Sequence, residues 1–319
     1  MANPTVSPFS RAVVGAMRKL YPEKLADSSF DNTGPLQVLL EAPYRPGHLK
    51  NSALLTVDLT RAVADEAIAR KDSIIIAYHP IIFRPLKALT QSNTQQSTLL
   101  RLAQEGISVY SPHTALDAAE KGLNDFLVAC ITAETPMVNG DPIDFEQHHS
   151  SVLTPVKDAP QGFETAGYGR IVRFHKPQTL GDIIARITSN LELPGVSVAA
   201  PQTIPAGERD QIEISSVGIC AGSGSMLNGL DVDLLFTGEL SHHEALAAIE
   251  KGKCVITTFH SNSERRFLEA RLLAQLDVAT KKEVEELGKK GQWEESLTKD
   301  FTIAASKSDR DPFVIVMRE

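Results

Sequence analysis

The chain has 319 residues, 42% hydrophobic and 23% charged, ordinary for a soluble globular fold with room for two domains or one large one. Its 32 Lys and Arg stand against 40 Asp and Glu, a formal charge of -8 that argues against general affinity for nucleic acid or an anionic membrane surface. No apolar run nears the ~18 residues of a membrane-spanning helix, and Cys130, Cys220 and Cys254 are too scattered for a disulfide framework or a thiolate metal site.

The first stretch, MANPTVSPFSRAVVGAMRKLYPEKLA, lacks a secretory pattern and reads as a helix capped at Ser10 and stopped by Pro22. The expected location is cytoplasmic, with nuclear and mitochondrial ones left open. The turn cluster at 31–35 leads into a strand, LQVLL. NSALLTVDLT (51–60) is a second strand, and Thr60 caps the helix that follows. Ser73–Phe83, SIIIAYHPIIF, then supplies a strand buried on both faces that runs directly into Tyr78 and His79 before Pro80 ends pairing. This β-α-β unit marks a parallel sheet. STLLRLAQE is a helix closed by Gly106, and ISVYSPHTALD is the next strand with its exit, carrying His113 and Asp117. Two crossovers of the same hand deliver both polar tips to one sheet edge, where α/β proteins bind ligands.

GLNDFLVACI is a helix, and residues 132–165, rich in Pro, Gly, Asp and His, read as a connecting segment. His148 and His149 there are expected to be exposed. GYGRIVRF opens the second half as a strand, TLGDIIARITSNLEL is an amphipathic helix, and VSVAAP is another strand. ISSVGICAGSGSMLNGL gives a strand, a glycine-rich turn and a helix start; its Gly222–Ser225 segment could cradle a phosphate or be a simple tight turn. VDLLFTGELSHHEALAAIEKG is a strand, a tip with Glu239, His242, His243 and Glu244, and a helix. CVITTFHSNSERRF repeats the pattern, and His260 and Glu264 share one helix face, a donor pair suited to Zn, Mn or Fe. KKEVEELGKK reads as a solvated helix and DRDPFVIV as a closing strand. The expected organisation is a first α/β lobe at 1–131 completed by 250–319, the connection at 132–165, and a second lobe at 166–249.

Four tips thus combine imidazole with carboxylate and no cysteine, the donor set of a hydrolytic or redox-capable metal site rather than a structural zinc. A shared carboxylate could bridge two ions roughly 3.5–4 Å apart.

The sequence resembles the Nif-three-like proteins (NGG-one-interacting factor three), also grouped as type-two GTP cyclohydrolase I homologues. The motifs that carry the resemblance span nearly the whole chain: DNTG (31–34), AYHPIIF (77–83), YSPHTALDA (110–118), TGELSHHE (237–244), FHSNSE (259–264) and DRDPF (309–313). The resemblance implies two intertwined three-layer α/β/α lobes with mostly parallel sheets, a homohexameric ring and a dinuclear metal centre. By the same resemblance His79, Asp117, His260 and Glu264 would be the metal ligands, with His113 and Tyr78 as catalytic groups beside them. Tyr78 stands where many bacterial members have a second histidine, as in the eukaryotic branch. One or two divalent ions (Zn, Fe, Mn or Mg) are therefore expected, since a phenol of pKa ~10 is a poorer ligand than imidazole. The implied function is metal-dependent hydrolysis of a nucleotide or other phosphorylated small molecule; the alternative is a non-catalytic, metal-binding adaptor with a protein partner linked to transcription. Direct nucleic-acid and membrane binding are not expected.

Overall fold

The computed structural model describes residues 6–32, 38–132, 147–289 and 300–316. The chain begins with α1 (Pro8–Leu20), β1 (Val38–Leu40), β2 (Ser52–Thr56), α2 (Arg61–Arg70), β3 (Ile74–Ala77), α3 (Thr94–Glu105) and β4 (Ser108–Tyr110). Next come α4 (Thr114–Ala118), α5 (Leu123–Thr132), β5 (His148–Pro155), β6 (Gly167–Thr179), α6 (Leu180–Leu191), β7 (Ser197–Ala199) and β8 (Glu213–Ser223). The remainder is β9 (Leu234–Glu239), α7 (His242–Ile249), β10 (Cys254–Thr257), α8 (Asn262–Phe267), α9 (Leu273–Lys289) and β11 (Thr302–Ala305). Contacts gather these elements into two units: Met1–Leu116 with Leu268–Arg310, and Asp117–Phe267 with Asp311–Glu319.

In the first unit a five-stranded sheet runs β1-β4-β3-β2-β11, parallel throughout except for β1. Its strands are buried on both faces, which is why they read as apolar runs. Leu54, Ile75, Ala77 and Val109 pack against Val63, Ala64 and Ala67 of α2 and Leu102 of α3. The alternation of strand side chains sends Leu55, Ile74 and Ile76 to the opposite face, where α1 packs on β2 and α9 on β11. This gives the three layers expected. Thr60 caps α2 by accepting from Val63 N–H, and Gly106, at φ +85°, ends α3. The cap of α1 is Ser7, with Pro8 at the first helical position; Ser10, the expected cap, lies inside the helix and donates its hydroxyl to the Ser73 carbonyl.

The second unit departs from a mostly parallel arrangement. Its six-stranded sheet runs β5-β6-β8-β9-β10-β7, with only β8, β9 and β10 mutually parallel. Strand β5 lies in the stretch read as a connection and pairs along β6 from His148↔Phe174 to Pro155↔Gly167. Its sequence, HHSSVLTP, is mostly polar because it is an edge strand with little to bury. Residues 133–146 of that stretch lie outside the described residues, as do Thr33 and Gly34 of the 31–34 motif, the first two residues of LQVLL and the last of KKEVEELGKK.

The division of the chain also differs from the one expected. Strand β10 joins β9 in parallel register, and α5 packs on β8, so 250–267 and 117–131 belong with the second unit. DRDPFVIV is not a closing strand: β11 has that place, and 312–316 carry no strand pairing. Its first aspartate, Asp309, accepts from Val57 N–H at 2.7 Å in the first unit, and Asp311 accepts from Ser261 Oγ at 2.7 Å in the second. Among the described residues no helix is long and apolar enough to cross a membrane.

The end of β11 is held by Glu66 of α2, whose carboxylate accepts from Ser306 Oγ and from the backbone N–H groups of Lys307 and Ser308. Burial works to raise the Glu66 pKa, but these donors outweigh it and hold the carboxyl below its usual 4.5. Its stabilising contribution is therefore present above that value and lost as pH falls through the lower folded value. Glu66→Ala should unfold at lower denaturant concentration than the parent near neutral pH, and the gap should narrow as the pH drops below 4.5; urea titrations across that range check it.

Candidate metal centre

In the first unit the backbone continues the β2–β3 ladder past the last strand residues. Tyr78 and His79 donate their N–H groups to Thr56 and Val57 carbonyls at 2.9 and 3.0 Å, which sets His79 beside the chain leaving β2. Asp58 lies there, and its Oδ1 is 2.9 Å from His79 Nδ1. After β4 the chain turns through His113, which takes an uncommon positive φ of 37°. His113 Nδ1 is 2.8 Å from Asp31 Oδ1. Asp31 is itself fixed by the hydroxyl of Thr114 at 2.6 Å and its backbone N–H at 3.3 Å. Burial pulls the Asp31 pKa upward, but His113 and Thr114 outweigh it and keep the carboxyl below its usual range. The rings of Tyr78, His79 and His113 lie 4.9 to 5.7 Å apart.

In the second unit, His260 follows β10 and Glu264 sits in the first turn of α8. His260 Nδ1 is 2.8 Å from Glu239 Oε1, and its Nε2 is 3.5 Å from Oε1 of Glu264, which is only 2% exposed. Two ligands of one ion, with bonds of ~2.0–2.1 Å, stand roughly 3.3 Å apart. The pair therefore has a spacing that fits a shared cation.

In the glycine-rich turn the two glycine amides are engaged within the protein. Gly222, at φ +60°, donates its N–H to Ser263 Oγ at 2.8 Å, and the Gly224 N–H goes to the Glu239 carbonyl at 3.0 Å, so both amides face protein acceptors. A Cβ at Gly222 would lie 2.7 Å from Glu264 Oε1 and 2.9 Å from His260 Nε2. One at Gly238 would come within 2.7 Å of the His260 carbonyl oxygen. Absent side chains make room for the donors.

Asp117 belongs to this unit. Asn124 donates to its carbonyl at 3.0 Å while accepting from Ala221 N–H, also at 3.0 Å, which ties it to the end of β8. Burial pushes the Cys220 thiol up, and the carboxylates of Asp117 and Glu264 raise it further. The neighbouring tip has a different role. Ser241 and Glu244 form a capping box on α7, with Glu244 drawn down to about 2 by the Ser241 hydroxyl and backbone and by Asn228. The rings of His242 and His243, exposed at the start of α7, pack on each other at 5.4 Å.

Sequence reasoning missed Asp58 and the orienting role of Asp31 and Glu239. A carboxylate only accepts, so His79 beside Asp58 and His260 beside Glu239 each place the hydrogen on Nδ1 and the lone pair on Nε2. Nothing in the spacing announces Asp58; its position two residues past β2 was the available signal. His79, His260 and Glu264 each offer an atom of the kind divalent metals take.

Two results follow for metal affinity. Glu239→Gln and Asp58→Asn should each weaken it about 10- to 100-fold while leaving the fold intact, measured by competition with a chromophoric chelator. Gly222→Ala should destabilise the protein by roughly 1–3 kcal/mol and also lower metal retention, because the new Cβ strains the backbone and displaces Glu264 or His260; thermal unfolding and metal analysis read the two effects.

The family model described as Duf34/NIF3 (NGG1p interacting factor 3) matches residues 10–289. The chain is 42% identical over 298 residues to a fission yeast (Schizosaccharomyces pombe) protein named NIF3 homolog, covering 93% of this chain and 94% of that one. It is 41% identical over 263 residues to the budding yeast (Saccharomyces cerevisiae) NGG1-interacting factor 3, covering 81% and 86%. A solved structure of a Bacillus cereus protein related to NIF3 superposes with a TM-score of 0.69 at 19% identity, over 96% of this chain and 98% of that one, which shows the shared fold. With the motifs read from the sequence, these likenesses agree on one assignment: the chain belongs to the Duf34/NIF3 family.

Proposed function

We propose that this chain is a metal-dependent hydrolase of a nucleotide or other phosphorylated small molecule. His79, Asp117, His260 and Glu264 would hold one or two divalent ions, of zinc, iron, manganese or magnesium. The observation that carries the reading is the tether on the two metal-binding imidazoles, whose Nδ1 atoms face Asp58 and Glu239. Metal-ligating histidines are oriented in this way. The donor set, imidazole and carboxylate with no thiolate, is that of catalytic rather than structural sites.

A bound divalent ion would supply Lewis acidity, lowering the pKa of a coordinated water toward ~7. The chain's own residues do the rest. Asp58 and Glu239 keep the Nε2 lone pairs of His79 and His260 directed outward from their carboxylate partners. His113, whose Nδ1 lies 2.8 Å from Asp31 Oδ1, can take a proton from the attacking water and return it to a leaving group. Tyr78, 3% exposed and packed against both histidines, excludes water from one side of them. Assembly into a homohexamer belongs to the same proposal.

A second reading is a non-catalytic, metal-binding adaptor, and the name of the budding yeast relative, NGG1-interacting factor 3, favours it. One screen separates the two. Metal-loaded protein is assayed against nucleotides and phosphoesters beside His79→Ala, His260→Ala and His113→Ala. The hydrolase reading expects turnover that falls by about 10²-fold or more in His113→Ala with metal retained, and is lost with the metal in the other two. Equal turnover in all four proteins would refute it.

A further inference from the structure

Phe30 and Phe83 are large apolar side chains left 54% and 47% exposed, and both stand against His113. Their ring centroids lie 6.4 and 6.3 Å from the imidazole, with interplanar angles of 90° and 85°. Tyr78 and His79 take other sides of the same ring at 5.6 and 5.7 Å. An isolated exposed phenylalanine needs no explanation. Two on separate loops, meeting one polar group edge-on, form an arrangement.

The loops that carry them are fixed. The Asn32 side-chain amide donates to the Ile82 carbonyl, joining the chain beside Phe30 to the chain beside Phe83. Asp31 grips Thr114, and Thr114 Oγ1 also accepts from Asp27 N–H at 2.9 Å, so the Phe30 loop is anchored at both ends to the His113 tip. His113 holds its place with the positive φ already noted, a strained conformation of the kind that collects at binding sites. The result is a preorganised aromatic rim around an imidazole. Phenyl faces offer stacking surface, and His113 Nε2 offers one polar atom to a ligand's edge.

We propose that Phe30 and Phe83 form a stacking subsite for a flat heteroaromatic ring of nucleobase type, with His113 meeting its polar edge. This rests on the small-molecule reading above and narrows its substrate class to nucleotides. The Asp31 carboxylate is engaged by His113 and Thr114, so the rim presents stacking faces and an imidazole rather than an acidic cage for an organic cation.

Titration calorimetry with GMP and with ribose 5-phosphate, on metal-replete parent protein and on Phe30→Leu and Phe83→Leu, tests it, with molar mass followed by light scattering. The expected result is tighter binding of GMP than of ribose 5-phosphate. Each leucine variant should then lose on the order of ten-fold in GMP affinity, with ribose 5-phosphate affinity and molar mass unchanged. Ribose 5-phosphate binding as well as GMP does, in parent and variants alike, would overturn the subsite and leave the phosphorylated-ligand reading standing. No binding of either compound to the parent would overturn both. A change of molar mass in the variants with GMP affinity intact would make the rim an interface between chains and overturn the subsite.

Discussion

A carboxylate oxygen within 2.9 Å of an imidazole Nδ1 recurs three times in this chain, at Asp58–His79, Asp31–His113 and Glu239–His260. At His79 and His260 the contact is a hydrogen bond and settles the tautomer, since the acid can only accept. It also stops ring rotation about the Cβ–Cγ bond, which an exposed histidine otherwise explores. A histidine so held presents Nε2 in one direction at little further entropic cost. The chemistry assigned to the site depends on this more than on the mere presence of histidine.

The backbone makes the contacts possible. In the first unit, parallel pairing of β2 with β3 runs on beyond the assigned strands, so residues 57 and 79 stay in ladder register and Asp58 meets His79. Asp309 secures the β2 side by accepting from Val57. In the second unit the means is the absence of side chains. Gly222 and Gly238 let β8 and β9 come close to the chain carrying His260 and Glu264, and Ser263 closes the gap with its hydroxyl between the Gly222 N–H and the His260 carbonyl. A buried carboxylate such as Glu264 is costly unless compensated, and a cation held with His260 would supply the compensation.

Much of this was legible in the sequence because parallel strands and their tips write themselves plainly. SIIIA, SALLT and CVIT are continuous apolar runs ending in polar residues, and Thr60 and Gly106 mark helix ends through local chemistry alone. The His260–Glu264 pair followed from helical spacing. What escaped reading depends on distant parts of the chain. Strand β5 is an edge strand whose polar sequence looks like a loop until β6 lies beside it. The glycines at 222 and 224 resembled a phosphate cradle because their occupied amides are known only once Ser263 and Glu239 are in place. Asp58 is one acid among 40 acidic residues, and only the β2–β3 register singles it out.

The family assignment fixes the fold and the likeness of the motifs, while the chemistry rests on the side chains themselves. In the first unit His79 is tethered to Asp58, and His113 stands within an aromatic rim; in the second, His260 is tethered to Glu239 beside the buried Glu264. Metal analysis of protein purified without chelators, beside Glu264→Ala, tests that account most directly. The account predicts roughly one to two divalent ions per chain in the parent and a clear loss in the variant. Parent and variant with equally negligible metal, after incubation with zinc, manganese or iron and desalting, would contradict it.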